Sequence, residues 1–286
     1  MIDQKLITFL KLCETMNYHD TAEALNMTQP AVTQHIKALE AEYNCNFFVY
    51  DHRTLAKSRE AEILETYVRS AVFNEERLKS VLNKSDMERF RIGATKSIGE
   101  YMIGEITAKF LSNRGRTADI TIDNTERLLG MLDSNMIDFA LIEGSFSKLK
   151  YGCCLFRNEP MTGICAVGHP FDGKTLDIEE LFSETLILRE PGSGTRDIFS
   201  AILAEHGYSG SNFYRTVTVS KFSLICALVR LGTGISFVYE SVADYNEGIG
   251  KFSISGINPV HELNYVFLKN TAAPDMINEF RYPQEG

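Results

Sequence analysis

Over the first sixty residues the apolar positions recur at helical spacing and then switch to alternation. Leu6, Ile7, Phe9, Leu10 and Cys13 share one face and predict a first helix ending near Asn17. "DTAEALN" predicts a short second helix capped by Asp20 or Thr21, and "MT" a tight connection to a third. Thr28 is a good N-cap. Pro30 sits in the first turn, where its missing N–H costs nothing. On a helical wheel over 28–41, Val32, Ile36 and Leu39 form a stripe that must be buried. Pro30, Thr33, Gln34, Lys37 and Ala41 face the other way. In 46–58, "NFFVYDHRTLAKS", Phe48 and Tyr50 alternate with Phe47 and Val49. A turn follows at 51–54, and Leu55 starts a return strand.

Two short helices, a tight turn and a longer polar-faced helix predict a helix-turn-helix, with Ala22 and Ala31 small enough for close crossing. The outward face is amide-bearing and slightly basic, suited to hydrogen-bonding base edges. An ordinary solvated face on a three-helix unit is the competing reading. The β-ribbon favours the first. Its turn carries His52 and Arg53, with Lys57 and Arg59 just beyond, where a wing would set cations against phosphate or minor groove.

"TAEALNMTQPAVTQHIKALEAEYNCNFFVY" (21–50) resembles the winged helix-turn-helix of the LysR-type transcriptional regulators. The specific part is Thr-Gln-Pro-Ala, a small hydroxyl residue, then Ile-x-x-Leu-Glu. The resemblance implies contacts to double-stranded promoter DNA from Thr28, Gln29, Pro30, Thr33, Gln34 and Lys37, with His52 and Arg53 from the wing. Two departures touch the wing: "FFVYDHR" stands for the usual LFxR, and "KSREA" puts Ser58 and Ala61 where Thr and Gly are usual.

Residues 59–83 lack Pro and Gly and predict one helix of about 37 Å. Ile63, Leu64, Tyr67, Ala71, Leu78, Val81 and Leu82 form an apolar seam; Glu75, Glu76, Arg77 and Lys79 decorate the far side. The seam wants a partner: the chain's own body or, as the resemblance implies, a second copy. A homodimer is expected, or a homotetramer if the bodies also pair.

From Phe90 strands alternate with helices, which predicts a mostly parallel sheet: strands at "RFRIGAT", "ADITIDN" and "IDFALIEG", helices at "SIGEYMIGEITAKFLSN" and "TERLLGMLDSN". "MTGICAVGHP" (161–170) is expected to cross into a second lobe and "HELNYVFLKN" to return. The fold class is therefore α/β: an N-terminal winged helix-turn-helix (1–58), a linker helix (59–86) and a two-lobed effector domain (87–286). Lobe I takes about 87–162 and 266–286, and lobe II about 163–265. The two lobes resemble the periplasmic-binding-protein fold that serves as the sensor in the same family.

Ligands of such folds sit where strands give way to helices. Thr95, Lys96 and Ser97 occupy that place in the first lobe. "GSGTR", with Ser193, Gly194, Thr195 and Arg196, occupies it in the second, and Ser220 begins a third wall. Hydroxyls, glycine N–H groups and two cations predict a pocket for a small anionic effector. Ordinary caps and turns are the bland alternative.

Composition trims the options. Net charge is −9, and residues 1–60 hold six Lys and Arg against eight acids, so any DNA reading rests on local geometry. The six cysteines form no C-x-x-C pair and no metal spacing, which fits buried reduced thiols. No metal, cofactor or catalytic residue is expected. "EPGSGTRD" lacks the spacing of a phosphate-binding Walker loop, G-x-S-x-G is missing, and His169, His206 and His261 are scattered. No apolar run spans a membrane and the N-terminus lacks a basic leader, so a cytoplasmic protein is expected. A small-anion binding protein or an enzyme with no transcriptional role is the alternative function.

Overall fold

The computed structural model describes residues 2–52, 54–82 and 87–282. Three helices open the chain: α1 (Gln4–Thr15), α2 (Tyr18–Ala24) and α3 (Gln29–Tyr43). The second begins earlier than its sequence suggests. Asn17, not Asp20 or Thr21, accepts the His19 and Asp20 N–H groups, because extended backbone at Asn17 aims its amide oxygen at the helix start. Thr28 caps α3 by accepting from the Ala31 N–H, and Val32, Ile36 and Leu39 are buried. An antiparallel ribbon follows, β1 (Phe48–Asp51) paired with β2 (Thr54–Lys57), with His52 at φ 43° just after β1. Phe9, Leu12, Ile36, Leu39, Phe47 and Leu55 make one core beneath them.

Helix α4 (Arg59–Leu82) is a single 24-residue element. Ser58 Oγ accepts from the Ala61 N–H, so the hydroxyl keeps the capping role at the position where Thr is usual. Ala61, Leu64 and Val68 complete the winged-helix core, while Phe73 joins the core of the body. Leu64 therefore does not belong to an open seam. Ile63, Tyr67, Leu78, Val81 and Leu82 do remain exposed. Arg77 is not solvated either: it pairs with Glu88, and its guanidinium lies 5.5 Å from the Phe90 ring centroid.

The first lobe is built from β3 (Glu88–Thr95), α5 (Lys96–Tyr101), α6 (Gly104–Leu111), β4 (Arg116–Asp123), α7 (Thr125–Asp133) and β5 (Phe139–Ile142). The predicted single helix over 97–113 is thus two, broken at Met102–Ile103. Strand β6 (Tyr151–Ala166) then runs through both lobes. The second lobe adds β7 (Thr175–Leu176), β8 (Thr185–Arg189), α8 (Gly194–Glu205), β9 (Arg215–Val219), α9 (Phe222–Arg230), β10 (Ser236–Tyr239), α10 (Glu240–Tyr245) and β11 (Ile249–Ile254). Strand β12 (Val260–Leu268) returns along β6 and α11 (Ala273–Arg281) closes the first lobe.

Sheet order is β4-β3-β5-β12-β6-β11-β7, with β10 also on β6. β3 runs parallel to β4 and β5, and β8 to β9, but β12, β10 and β11 all lie antiparallel to β6. The sheet is mixed rather than mostly parallel, because the two crossing strands join the lobes by pairing with each other. Burial pushes the Cys165 and Cys226 thiols up to about 11, so both stay protonated at neutral pH.

Candidate functional sites: an exposed helix face and an interlobe cluster

Capping and burial orient α3. With Val32, Ile36 and Leu39 turned inward, Thr28, Gln29, Pro30, Gln34 and Lys37 are exposed on the opposite side. Thr33 is half-buried, and its hydroxyl donates to the Gln29 carbonyl at 3.0 Å, so it offers only acceptor capacity outward. On the inner side Thr8 Oγ1 and His35 Nδ1, 2.9 Å apart, pin α1 to α3. His52 is exposed at the tip of the ribbon. Arg53 lies outside the described residues.

The second site gathers where the lobes touch. Thr95 closes β3 and Ser193 precedes α8. Both occupy the N-cap position, both are 2% exposed, and neither side chain caps its helix. Among the described residues their hydroxyl oxygens have no hydrogen-bond partner. Ser97 Oγ lies 3.4 Å from Thr195 Oγ1, which joins one lobe to the other. Thr195 in turn donates to Glu143 Oε1 at 3.1 Å. A Cβ on Gly194 would lie 2.7 Å from the Glu143 carbonyl oxygen, so only glycine lets α8 start this close to the end of β5.

The expected cations are otherwise engaged. Lys96 donates to Glu190 Oε1 at 2.7 Å and to the Ser220 carbonyl at 2.9 Å. Ser220 thus contributes backbone, and its side chain is exposed. Arg196 Nη1 donates to the Arg189 carbonyl at 3.0 Å and braces the end of β8. α5 has only six residues, so its dipole is slight beside that of the twelve-residue α8.

Four residues that the sequence did not single out complete the cluster: Glu143, Arg189, Glu190 and Tyr239. Glu143 is 2% exposed, and its second carboxylate oxygen is unpartnered. Burial holds its carboxyl above the usual range. Arg189 lies 4.3 Å above the Phe222 ring and donates twice to Glu190, with Nη1 left over. Burial alone would raise Glu190, but the hydrogen bonds from Arg189 and Lys96 outweigh it and hold the carboxyl at about 2. The Tyr239 hydroxyl is buried without a partner. A polar residue directly after the apolar run "FALI" was the one available signal for Glu143.

Residues 4–62 match the family model for the bacterial regulatory helix-turn-helix protein of the lysR family, and residues 83–281 that for the LysR substrate binding domain. The chain belongs to the LysR family of transcriptional regulators. It is 27% identical over 274 residues to an uncharacterized HTH-type transcriptional regulator of Methanocaldococcus jannaschii, covering 93% of this chain and 92% of that one. Full-length OxyR from Pseudomonas aeruginosa shares the fold at TM-score 0.65 and 18% identity over 98% of this chain and 93% of the other. The Synechocystis CcmR regulatory domain, solved in complex with 2-PG, matches at TM-score 0.62 and 17% identity over 68% of this chain and 96% of its own. As a LysR-type regulator the protein binds DNA and senses a small molecule through its two-lobed domain; it is not an enzyme. Promoter DNA, an effector and further copies of the chain are its partners. Among the described residues no helix is long and apolar enough to cross a membrane.

Proposed function

We propose that a small anion bridges the lobes at the cluster around Thr95 and Ser193 and thereby sets how the protein holds its promoter. The division of labour follows residues 1–58 for DNA, 59–86 for pairing subunits and 87–286 for sensing, with the lobes parting near 162 and 266. The observation that carries the reading is the pair of idle caps. Asn17, Thr28 and Asn124 all engage their helices through their side chains. Thr95 and Ser193, one in each lobe, are buried and do not. A buried hydroxyl without a partner costs about 1–3 kcal/mol, which an anion accepting from it would relieve. The N–H groups opening α8 at Gly194 add donors, while Thr195, whose proton goes to Glu143, and Ser97 beside it hold the two lobes together there. Lys96, Arg196 and Ser220 support the walls rather than touch the ligand, since each already has a partner. CcmR, alike in fold, holds 2-phosphoglycolate, which supports the choice of a small anion.

On the DNA side, Gln29, Pro30, Thr33, Gln34 and Lys37 face the major groove, with Thr28 at the helix start, and His52 and Arg53 lie along the backbone. The setting is cytoplasmic. The test is calorimetry with phosphate, simple carboxylates and 2-phosphoglycolate. Thr95→Ala and Ser193→Ala should each weaken the anion that binds best by roughly ten- to a hundredfold, the worth of a hydrogen bond to a charged group. Normal binding by both variants would place the effector elsewhere.

A further inference from the structure

Among the described residues, five of the eleven buried side-chain polar atoms without a hydrogen-bond partner lie at one place. Thr95 Oγ1, Ser193 Oγ, Arg189 Nη1, the Tyr239 hydroxyl and Glu143 Oε2 all belong to the interlobe cluster. Natural interiors hold few such atoms, and each asks for an explanation. Four of the five, the three hydroxyls and Arg189 Nη1, can donate, and together they present a surface for an acceptor-rich group. Glu143 Oε2 is different: a carboxylate accepts, and burial, which holds this carboxyl above its usual range, makes its charge costly until a donor reaches it. An anion alone satisfies the donors and leaves Glu143 facing a like charge.

Charge points the same way. Lys96 and Arg189 both pair with Glu190. With those two charges spent on Glu190, a like charge brought against the buried Glu143 is costly. A ligand that also brings a donor to Glu143 meets both demands. Glu143 is fixed for that role: Thr195 holds its other oxygen, and the Thr125 hydroxyl donates to its carbonyl at 3.0 Å.

We propose that Glu143 is the specificity-determining residue of the cleft, and that the effector is a small anion carrying a hydroxyl or ammonium donor beside its acidic group. The inference rests on the cleft reading above. Donor-bearing anions bind because every atom of the cluster then has a partner. Their analogues lacking the donor are rejected, because a site built to hydrogen-bond a group leaves its own polar atoms unpaired when that group is missing.

The experiment is calorimetry on the full chain with two matched triads: acetate, glycolate and glycine, then succinate, malate and aspartate. Within a triad the members differ only by hydrogen, hydroxyl or ammonium at one carbon. In the wild-type protein at least one donor-bearing member should bind tenfold or more tighter than its hydrogen analogue. Glu143→Gln turns an acceptor into a donor at nearly constant shape, so the preference should collapse or reverse toward acetate or succinate. Equal affinities across both triads in the wild type, including no binding by any member, overturn the inference without needing the variant. An unchanged ratio in a folded Glu143→Gln protein also overturns it. Ser193→Ala separates the two ideas. If it weakens every probe while the wild type shows no donor preference, the cleft stands and the role of Glu143 falls. If it weakens none, the cleft itself is wrong.

Discussion

At both candidate sites the neighbours of a side chain decide what it can do. Gln34 is exposed on α3, and its amide can both donate and accept, as an adenine edge requires. Thr33, one residue before it, has committed its hydroxyl proton to the Gln29 carbonyl. Gln34→Ala should therefore cost about 1–3 kcal/mol of operator affinity and relax specificity at one base pair. Effector binding should not change. Fluorescence anisotropy on operator and on random duplex checks this, and an unaltered ratio between the two would show that the face positions the protein without reading bases. The same dependence on neighbours limited what the sequence revealed of the cleft. Thr95, Ser97, Ser193 and Thr195 were visible because hydroxyls and glycines at strand-to-helix turns are a local pattern. Lys96 looked equally available, yet Glu190, ninety-four residues away, takes its charge. Glu143 could not be found as a buried acid, since nothing local shows that α8 of the other lobe will cover it.

Elements were legible to the extent that their hydrophobic period was clean. The three short helices, the ribbon and the linker helix all follow from spacing. β6 does not: its first half, "YGCCLFRNEP", mixes polar and apolar residues because it pairs with β12 alone and stays half-exposed, and only the apolar second half, paired with both β10 and β11, stood out. In α4 the apolar residues split into two stripes that the sequence showed as one seam. Leu64 and Val68 face the chain's own core, while Ile63, Tyr67, Leu78, Val81 and Leu82 face outward. The two stripes predict different failures. Leu78→Glu puts a charge on the outward stripe, which is costly if a second α4 covers it. Light scattering should show smaller particles, with normal thermal unfolding of each chain. Leu64→Glu should instead unfold the winged helix, since it would bury a carboxylate among Phe9, Phe47 and Val68. An unchanged mass for folded Leu78→Glu would mean that subunits pair through another surface.

At the scale of the whole molecule, the question is how closure of a cleft reaches helices that touch DNA. α4 is continuous with the winged helix through Ala61, Leu64 and Val68, and it is also fastened to the first lobe. Asn74 donates to the Asn270 carbonyl and accepts from the Ala272 N–H, both at 2.9 Å. Ser70 Oγ donates to the Lys269 carbonyl at 2.7 Å, and Asn135 Nδ2 to the Arg69 carbonyl at 3.1 Å. Residues 269–272 directly follow β12, one of the two strands that cross between the lobes. A ligand that draws the lobes together acts on β12, and these hydrogen bonds join its end to α4. Coupling needs a physical element that both sites bias, and these hydrogen bonds make this junction the candidate for it. Asn74→Ala removes a reciprocal pair worth about 1–3 kcal/mol but touches neither site. Effector affinity and effector-free operator affinity should each stay near wild type, while the change in operator affinity on adding effector should shrink severalfold. Anisotropy titrations with and without saturating effector measure that difference directly. Coupling at full strength in Asn74→Ala would route the signal through contacts between subunits instead.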